Sequence, residues 1–432
     1  METLEDFYGR RLPKERVPEM FVQQAQVVPV FKKQGSNDIC LRCGQKVDKA
    51  TVLPTGNFYC RTCIVFGRLS SASQLCYFPQ AAFPKTQCLN WPGQLTPFQK
   101  EVSDGLVDGI AKGQNLLVHA VTGAGKTEMI YQAIASVIDK GGAVCVASPR
   151  VDVCIELDKR LRRDFSCPIS LLHGESEAYQ RSPLVIATTH QLMTFYRAFD
   201  LLIIDEVDAF PFVDNSSLYH AAKQAVTADG VTVYLTATST DALERMVKKG
   251  ELQKLHLARR FHANPLVVPK PIWQENVLKN MAKQRLPRTL HHHIKKQRQT
   301  GFPLLLFYPN IKEGQQFAKC LERHFPDEKI GFVSSQTENR LEIVEAFRKQ
   351  EISMLVSTTI LERGVTFPCV DVFVIEAHHR LYTRSALVQI AGRVGRSMER
   401  PTGELLFFHA GLTKAIKQSI AEIKDMNKKG GF

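Results

Sequence analysis

The chain has 432 residues, 44% of them apolar and 23% charged, which provides for two or three compact domains with cores of their own and argues against intrinsic disorder. Lysine and arginine number 56 against 43 acidic residues, a formal net charge of +13 that favours polyanions such as nucleic acid or an anionic membrane surface. The longest apolar runs are strand-sized and broken by charge or glycine, and Met1–Arg16 is charged and interrupted by Pro13, so neither a membrane span nor a secretory leader is expected. Of the 11 cysteines, four fall in two close pairs and seven are scattered, which without a leader predicts free thiols in a reducing compartment, the cytoplasm.

Residues 1–35 mix prolines, charges and isolated apolar residues without a sustained period and read as a loose N-terminal extension. Residues 36–67 hold Cys40-x2-Cys43 and Cys60-x2-Cys63, with 16 residues between the pairs, the spacing of a four-thiolate zinc ribbon. Each pair sits on a tight turn, as at Cys43-Gly44, so two thiolates can approach one Zn2+. Four thiolates close the tetrahedron and leave no position for a catalytic water, so the expected zinc is structural and stabilises a module with little core. Redox-active pairs are the rival reading, and two pairs at this separation favour metal. Cys76 and Cys88 lack such pairing and read as ordinary thiols.

From about residue 90 short apolar runs alternate with helical patterns, the signature of parallel α/β architecture. Strands are expected at Asn115–Ala120, Ala143–Ser148, Leu184–Thr188, Leu201–Ile204 and Val231–Leu235, with helical patterns such as Lys126–Lys140 and Asp152–Phe165 between them. The alternation restarts after the proline-containing stretch Asn264–Ile272, with strands expected at Leu304–Tyr308, Met354–Ser357, Val372–Ile375 and Leu405–Phe408 and helices such as Glu313–His324 and Arg340–Lys349. Two α/β units, residues 90–260 and 261–432, therefore follow the cysteine module.

Ala120-Val-Thr-Gly-Ala-Gly-Lys-Thr127 has P-loop spacing, with alanine at the usual first glycine, an apolar strand entering and an amphipathic pattern leaving. Thr122, Gly123, Ala124 and Gly125 would wrap backbone N–H groups around phosphate oxygens at a helix N-terminus. Lys126 would reach the β- and γ-phosphates of ATP, and Thr127 would offer its hydroxyl to Mg2+. Leu201-Leu-Ile-Ile-Asp-Glu-Val-Asp208 then predicts a buried strand presenting two carboxylates to the same crevice: Asp205 to hold Mg2+ and Glu206 to polarise the attacking water. A glycine turn and a solvated Asp-Glu pair are the bland accounts of these segments taken singly. Together, strand–loop–helix followed by strand–Asp–Glu favours a nucleotide site.

Further segments in order extend this picture: Leu95-Thr-Pro-Phe-Gln99, Ser148-Pro-Arg150, Ala187-Thr-Thr-His-Gln191, Thr236-Ala-Thr238, Leu306-Phe-Tyr-Pro309, Ser357-Thr-Thr-Ile-Leu-Glu-Arg-Gly364 and Gln389-Ile-Ala-Gly-Arg-Val-Gly-Arg396. Over roughly residues 91–411 the chain resembles superfamily 2 helicases of the DEAD/DEAH-like branch. That resemblance implies two tandem RecA-like parallel-sheet domains preceded by the zinc module. It also implies adenine recognition by Gln99, DNA contacts from Arg150, Thr189 and Thr358, and Arg393 and Arg396 reaching the γ-phosphate as fingers. The second α/β unit has no P-loop of its own, which agrees with one ATP site shared by both.

With the zinc module ahead of a short motor, and with Phe7-Tyr-Gly-Arg-Arg-Leu12 and Trp91-Pro-Gly-Gln-Leu-Thr-Pro97, the chain resembles the ComFA-type competence DNA-uptake ATPases. This resemblance implies an ATPase at the inner face of the cell membrane that helps draw transforming single-stranded DNA inward. Its implied partners are a ComFC-like phosphoribosyltransferase-fold protein and the membrane DNA-uptake channel. The primosomal helicase PriA is the alternative resemblance, but there the cysteines lie within the second lobe. A nucleic-acid scaffold with vestigial hydrolysis is a third possibility, disfavoured by intact Lys126, Glu206 and Arg396.

Overall fold

The computed structural model describes residues 3–362, 365 and 367–432. Arg363 and Gly364, the end of one helicase-like segment, lie outside the described residues. The chain divides into two compact units, residues 1–119 with 126–256 and residues 120–125 with 257–432.

The sheet of the first α/β half has seven strands in the order Gln253–Leu257, Leu116–Ala120, Val226–Thr236, Phe199–Ile204, Val144–Ser148, Leu184–Thr188 and Ile169–Leu172. From Leu116–Ala120 onward the neighbours pair in parallel. Strands such as Leu116–Ala120, Val144–Ser148 and Leu184–Thr188 are buried at every position, which is why they read as continuous apolar runs. The helical pattern expected over 126–140 is realised as Lys126–Met129 followed by Tyr131–Ile138.

The second sheet has six parallel strands in the order Lys270–Trp273, Leu405–His409, Asp371–Val374, Leu304–Phe307, Met354–Ser357 and Ile330–Val333. Its core gathers Leu304, Leu306, Phe317, Leu321, Val356, Phe373 and Phe408. Both halves are RecA-like parallel-sheet domains. Among the described residues no helix is long and apolar enough to cross a membrane.

The N-terminal residues depart from the sequence reading. Arg11–Pro13 and Gln26–Pro29 flank Gln74–Tyr77 in a three-stranded antiparallel sheet, with Arg11 opposite Tyr77 and Pro29 opposite Gln74. Phe7, Leu12, Val17, Cys76 and Phe78 form its small core. The expected loose extension is folded, because its apolar residues find partners on a strand that returns only after the cysteine module. The module itself opens with the hairpin Phe31–Gln34/Asn37–Cys40. It continues past residue 67, where Cys60 N–H donates to the Leu69 carbonyl and Tyr59 bridges Ser70.

Candidate nucleotide site and cysteine cluster

The P-loop leaves the buried strand Leu116–Ala120 and turns with Gly123 at φ +79° and Gly125 at φ +74°, a left-handed conformation costly to a side chain. A helix opens at Lys126. The Lys126 ammonium lies 3.7 Å from Asp205 Oδ1, at the carboxyl end of the strand Phe199–Ile204. The same oxygen accepts the Glu206 N–H at 2.8 Å. Glu206 adopts φ +53°, and its carboxylate sits 4.0 Å from Arg150 Nε. The Lys126 ammonium and the Asp205 carboxylate thus meet at the strand end, with the Glu206 carboxylate turned to Arg150, a donor set that suits a magnesium triphosphate.

Asp208 and the Thr236–Thr238 segment form one buried knot. Asp208 Oδ1 accepts the Thr236 hydroxyl at 2.8 Å, Oδ2 accepts the Thr238 hydroxyl, and Thr238 N–H donates to Thr236 Oγ1 at 3.0 Å. His119, in the strand entering the P-loop, closes the knot from behind with Nε2 3.1 Å from the Ala237 carbonyl. Burial, assisted by nearby Lys254 and His256, lowers this imidazole to about 4, so it is neutral at physiological pH and donates from Nε2. The sequence reading missed His119, because one histidine in an apolar strand carries no motif.

Gln99 is buried at the third position of helix Pro97–Ala111, where its carbonyl oxygen accepts from Thr96 N–H at 2.9 Å in a capping box. Arg150 precedes helix Val151–Asp164. Thr189 is 0% exposed and Thr358 7% exposed, and the Thr358 N–H donates to the Val333 carbonyl at 3.3 Å, so the structure opens neither residue to a phosphate. In the second unit Arg393 is buried and Arg396 half-buried, both in the turn that follows helix Arg384–Ala391.

The sulfurs of Cys40, Cys43, Cys60 and Cys63 lie within 4.8 Å of one another, with Cys40–Cys63 at 3.8 Å and Cys43–Cys60 at 3.4 Å. A tetrahedron with metal–sulfur bonds of ~2.3 Å has edges of ~3.8 Å, so the cluster fits a zinc ion. Arg42, 1% exposed, donates from Nε to Cys63 Sγ at 3.3 Å and from Nη2 to the carbonyls of Cys63 at 2.8 Å and Gly67 at 3.0 Å. These bonds fix the loop that carries Cys63, and the Arg42 charge would offset that of thiolates holding a metal. The module is seated on the first unit by Arg11 Nη2 to the Leu41 carbonyl at 2.6 Å, Gln45 Nε2 to Ser216 Oγ at 2.8 Å and a stack of Phe66 on His190.

The fold and motifs define a superfamily 2 helicase-type ATPase. The DEAD/DEAH box helicase family matches residues 96–246, and the helicase conserved C-terminal domain matches residues 284–398. The chain is 58% identical over 427 residues to competence protein ComFA of Streptococcus pneumoniae, covering 99% of each. It is 37% identical over 397 residues to ComFA of Bacillus subtilis, covering 90% of this chain and 85% of the relative. The chain belongs to the ComFA family of competence proteins. Among solved structures, the Lhr helicase of Mycobacterium smegmatis aligns with a TM-score of 0.56 at 17% identity, over 78% of this chain and 50% of Lhr, a likeness of fold.

Proposed function

We propose that the chain is a DNA translocase whose ATP turnover is stimulated by single-stranded DNA and which draws transforming DNA inward during natural competence. The carrying observation is the approach of Lys126, first residue after the glycine turn, to Asp205 at 3.7 Å, with Glu206 next in the chain. Gly123, Ala124 and Gly125 cradle the phosphates with Thr122 at the loop's entry, Lys126 pairs with the β- and γ-oxygens, and Gln99 faces the adenine end. Glu206 orients and polarises the attacking water, and Arg393 and Arg396 neutralise charge on the γ-phosphate. Mg2+, held by Thr127 and Asp205, supplies charge neutralisation at the phosphates.

Single-stranded DNA is gripped through its phosphates at Arg150, with Thr189 and Thr358 reached only if their buried segments open, and with salt-sensitive, sequence-independent affinity. The four cysteines hold a structural zinc. Residues 90–260 and 261–432 act as the two lobes of the motor, following in the chain a folded N-terminal segment and a zinc-binding module that contains residues 36–67 and runs on to Ser70. In this role the protein works in the cytoplasm at the inner face of the membrane, with a ComFC-like protein and the uptake channel as partners.

The test is ATP turnover with and without an oligothymidylate, in wild type and Lys126→Ala. Stimulation in the first and loss in the second are expected. Turnover indifferent to DNA would remove the translocase reading, and efficient strand displacement on a partial duplex would replace it with a PriA-like unwinding role.

A further inference from the structure

Arg260 belongs to an irregular segment of the second unit between the strands Gln253–Leu257 and Lys270–Trp273. That segment is fastened to the C-terminal helix on one side. The Arg259 guanidinium lies 5.2 Å from the Phe432 ring centroid, and Leu266 and Asn427 exchange hydrogen bonds of 2.8 and 2.9 Å.

Arg260 serves the other side. It is 2% exposed, and its Nη1 donates to the Val394 carbonyl at 2.9 Å and to the Gly395 carbonyl, while Nη2 donates to the Gly392 carbonyl at 3.2 Å. The three acceptors bracket Arg393 and immediately precede Arg396. Gly395 is at φ +65°, and a Cβ there would meet the Pro401 carbonyl oxygen at 2.3 Å and Arg260 Nη1 at 3.2 Å, so the turn is packed against the guanidinium. Nε of Arg260 is buried without a hydrogen-bond partner, and no carboxylate among the described residues pairs with it. Burial and the neighbouring Arg396 charge pull the guanidinium down to about 10. A buried cation held beside another, and satisfied only by carbonyls of one turn, is costly for stability alone. The planar fork is suited to fixing a backbone geometry.

We propose that Arg260 is a positioning residue for the turn Gly392–Gly395, setting the backbone from which Arg393 and Arg396 reach the γ-phosphate. This rests on reading those two arginines as the groups that meet the phosphate. Because fingers act chiefly in the transition state, a misplaced turn lowers kcat and leaves the KM for ATP little changed.

Arg260→Met keeps much of the volume and removes every donor. Its kcat in the full-length, DNA-stimulated enzyme is expected to fall by about 10- to 100-fold, the order of loss from an ångström-scale misplacement. Arg260→Lys should fall in between. In a double-mutant cycle, Arg260→Met should cost no more than about twofold once Arg396→Ala is present, because the two act as one unit. A kcat for Arg260→Met within about twofold of wild type, or losses that simply multiply with Arg396→Ala, would overturn the positioning role. If the methionine variant fails to fold, the lysine variant decides, and wild-type turnover there has the same meaning. Wild-type turnover in both Arg393→Ala and Arg396→Ala would instead refute the finger assignment, a result distinct from either of these.

Discussion

Protonation of His119 should weaken the fold in a defined pH window. The ring is 7% exposed, Nε2 faces the Ala237 carbonyl, and Nδ1 is buried without a hydrogen-bond partner. Burial, with Lys254 and His256 nearby, disfavours the charged ring, whose second N–H at Nδ1 would also meet no acceptor, and the folded imidazole titrates at about 4 against 6.5 in the open chain. Between those values the unfolded state binds the extra proton and the folded state does not. The contribution of His119 to stability is therefore complete above pH 6.5, declines as the pH falls, and is lost below 4. At 1.36 kcal/mol per pH unit the full window amounts to about 3 kcal/mol, and about 2 kcal/mol is gone by about pH 5. His119→Gln can place a side-chain N–H at the Nε2 position for the Ala237 carbonyl and does not titrate. Urea unfolding of both proteins near pH 7.5 and near pH 5 should find the variant less stable by about 1 kcal/mol in the first case and the more stable of the two in the second. A stability difference that stays constant across this range would refute the account of His119 as a buried neutral donor.

Asp208→Asn replaces a carboxylate that accepts two buried hydroxyls, and should destabilise the first unit by about 1.5–3 kcal/mol. If the knot couples hydrolysis to movement, the same variant should keep DNA-stimulated ATP turnover while losing strand translocation, read by displacement of streptavidin from a biotinylated strand. Cys40→Ser should lose zinc on metal analysis and expose residues 36–67 to protease, with nucleotide affinity unchanged; full zinc content would reject the ligand set. Arg42→Met should weaken zinc retention about 10- to 100-fold in chelator competition.

The central strands were legible because parallel strands covered on both faces read as unbroken apolar runs, as at Val144–Ser148 and Leu184–Thr188. The phosphate loop, the Asp205-Glu206 pair and the cysteine spacing were legible as local patterns; the structure brings Lys126 to Asp205 and, separately, the four cysteine sulfurs to one another. The N-terminal sheet was not. Its strands are three or four residues long, one includes the buried Arg11 and Pro13, and the strand that pairs with both lies beyond the cysteines. Edge strands such as Gln253–Leu257, with alternating polar residues, were hidden for lack of an unbroken apolar run. His119, Arg42 and Arg260 gain their roles from carbonyls and sulfurs that only the folded backbone assembles.

The pairing of Pro29 with Gln74 has a thermodynamic corollary for the metal. The chain departs into the cysteine segment and comes back at one rung of a ladder, so the excursion is already a closed ring before any ion arrives. Cross-linking within a ring whose ends are tethered removes less disorder than stapling an open chain. A zinc ion held by the four cysteines would therefore govern the inner shape of the excursion, while the sheet that anchors it owes its persistence to Phe7, Leu12 and Phe78.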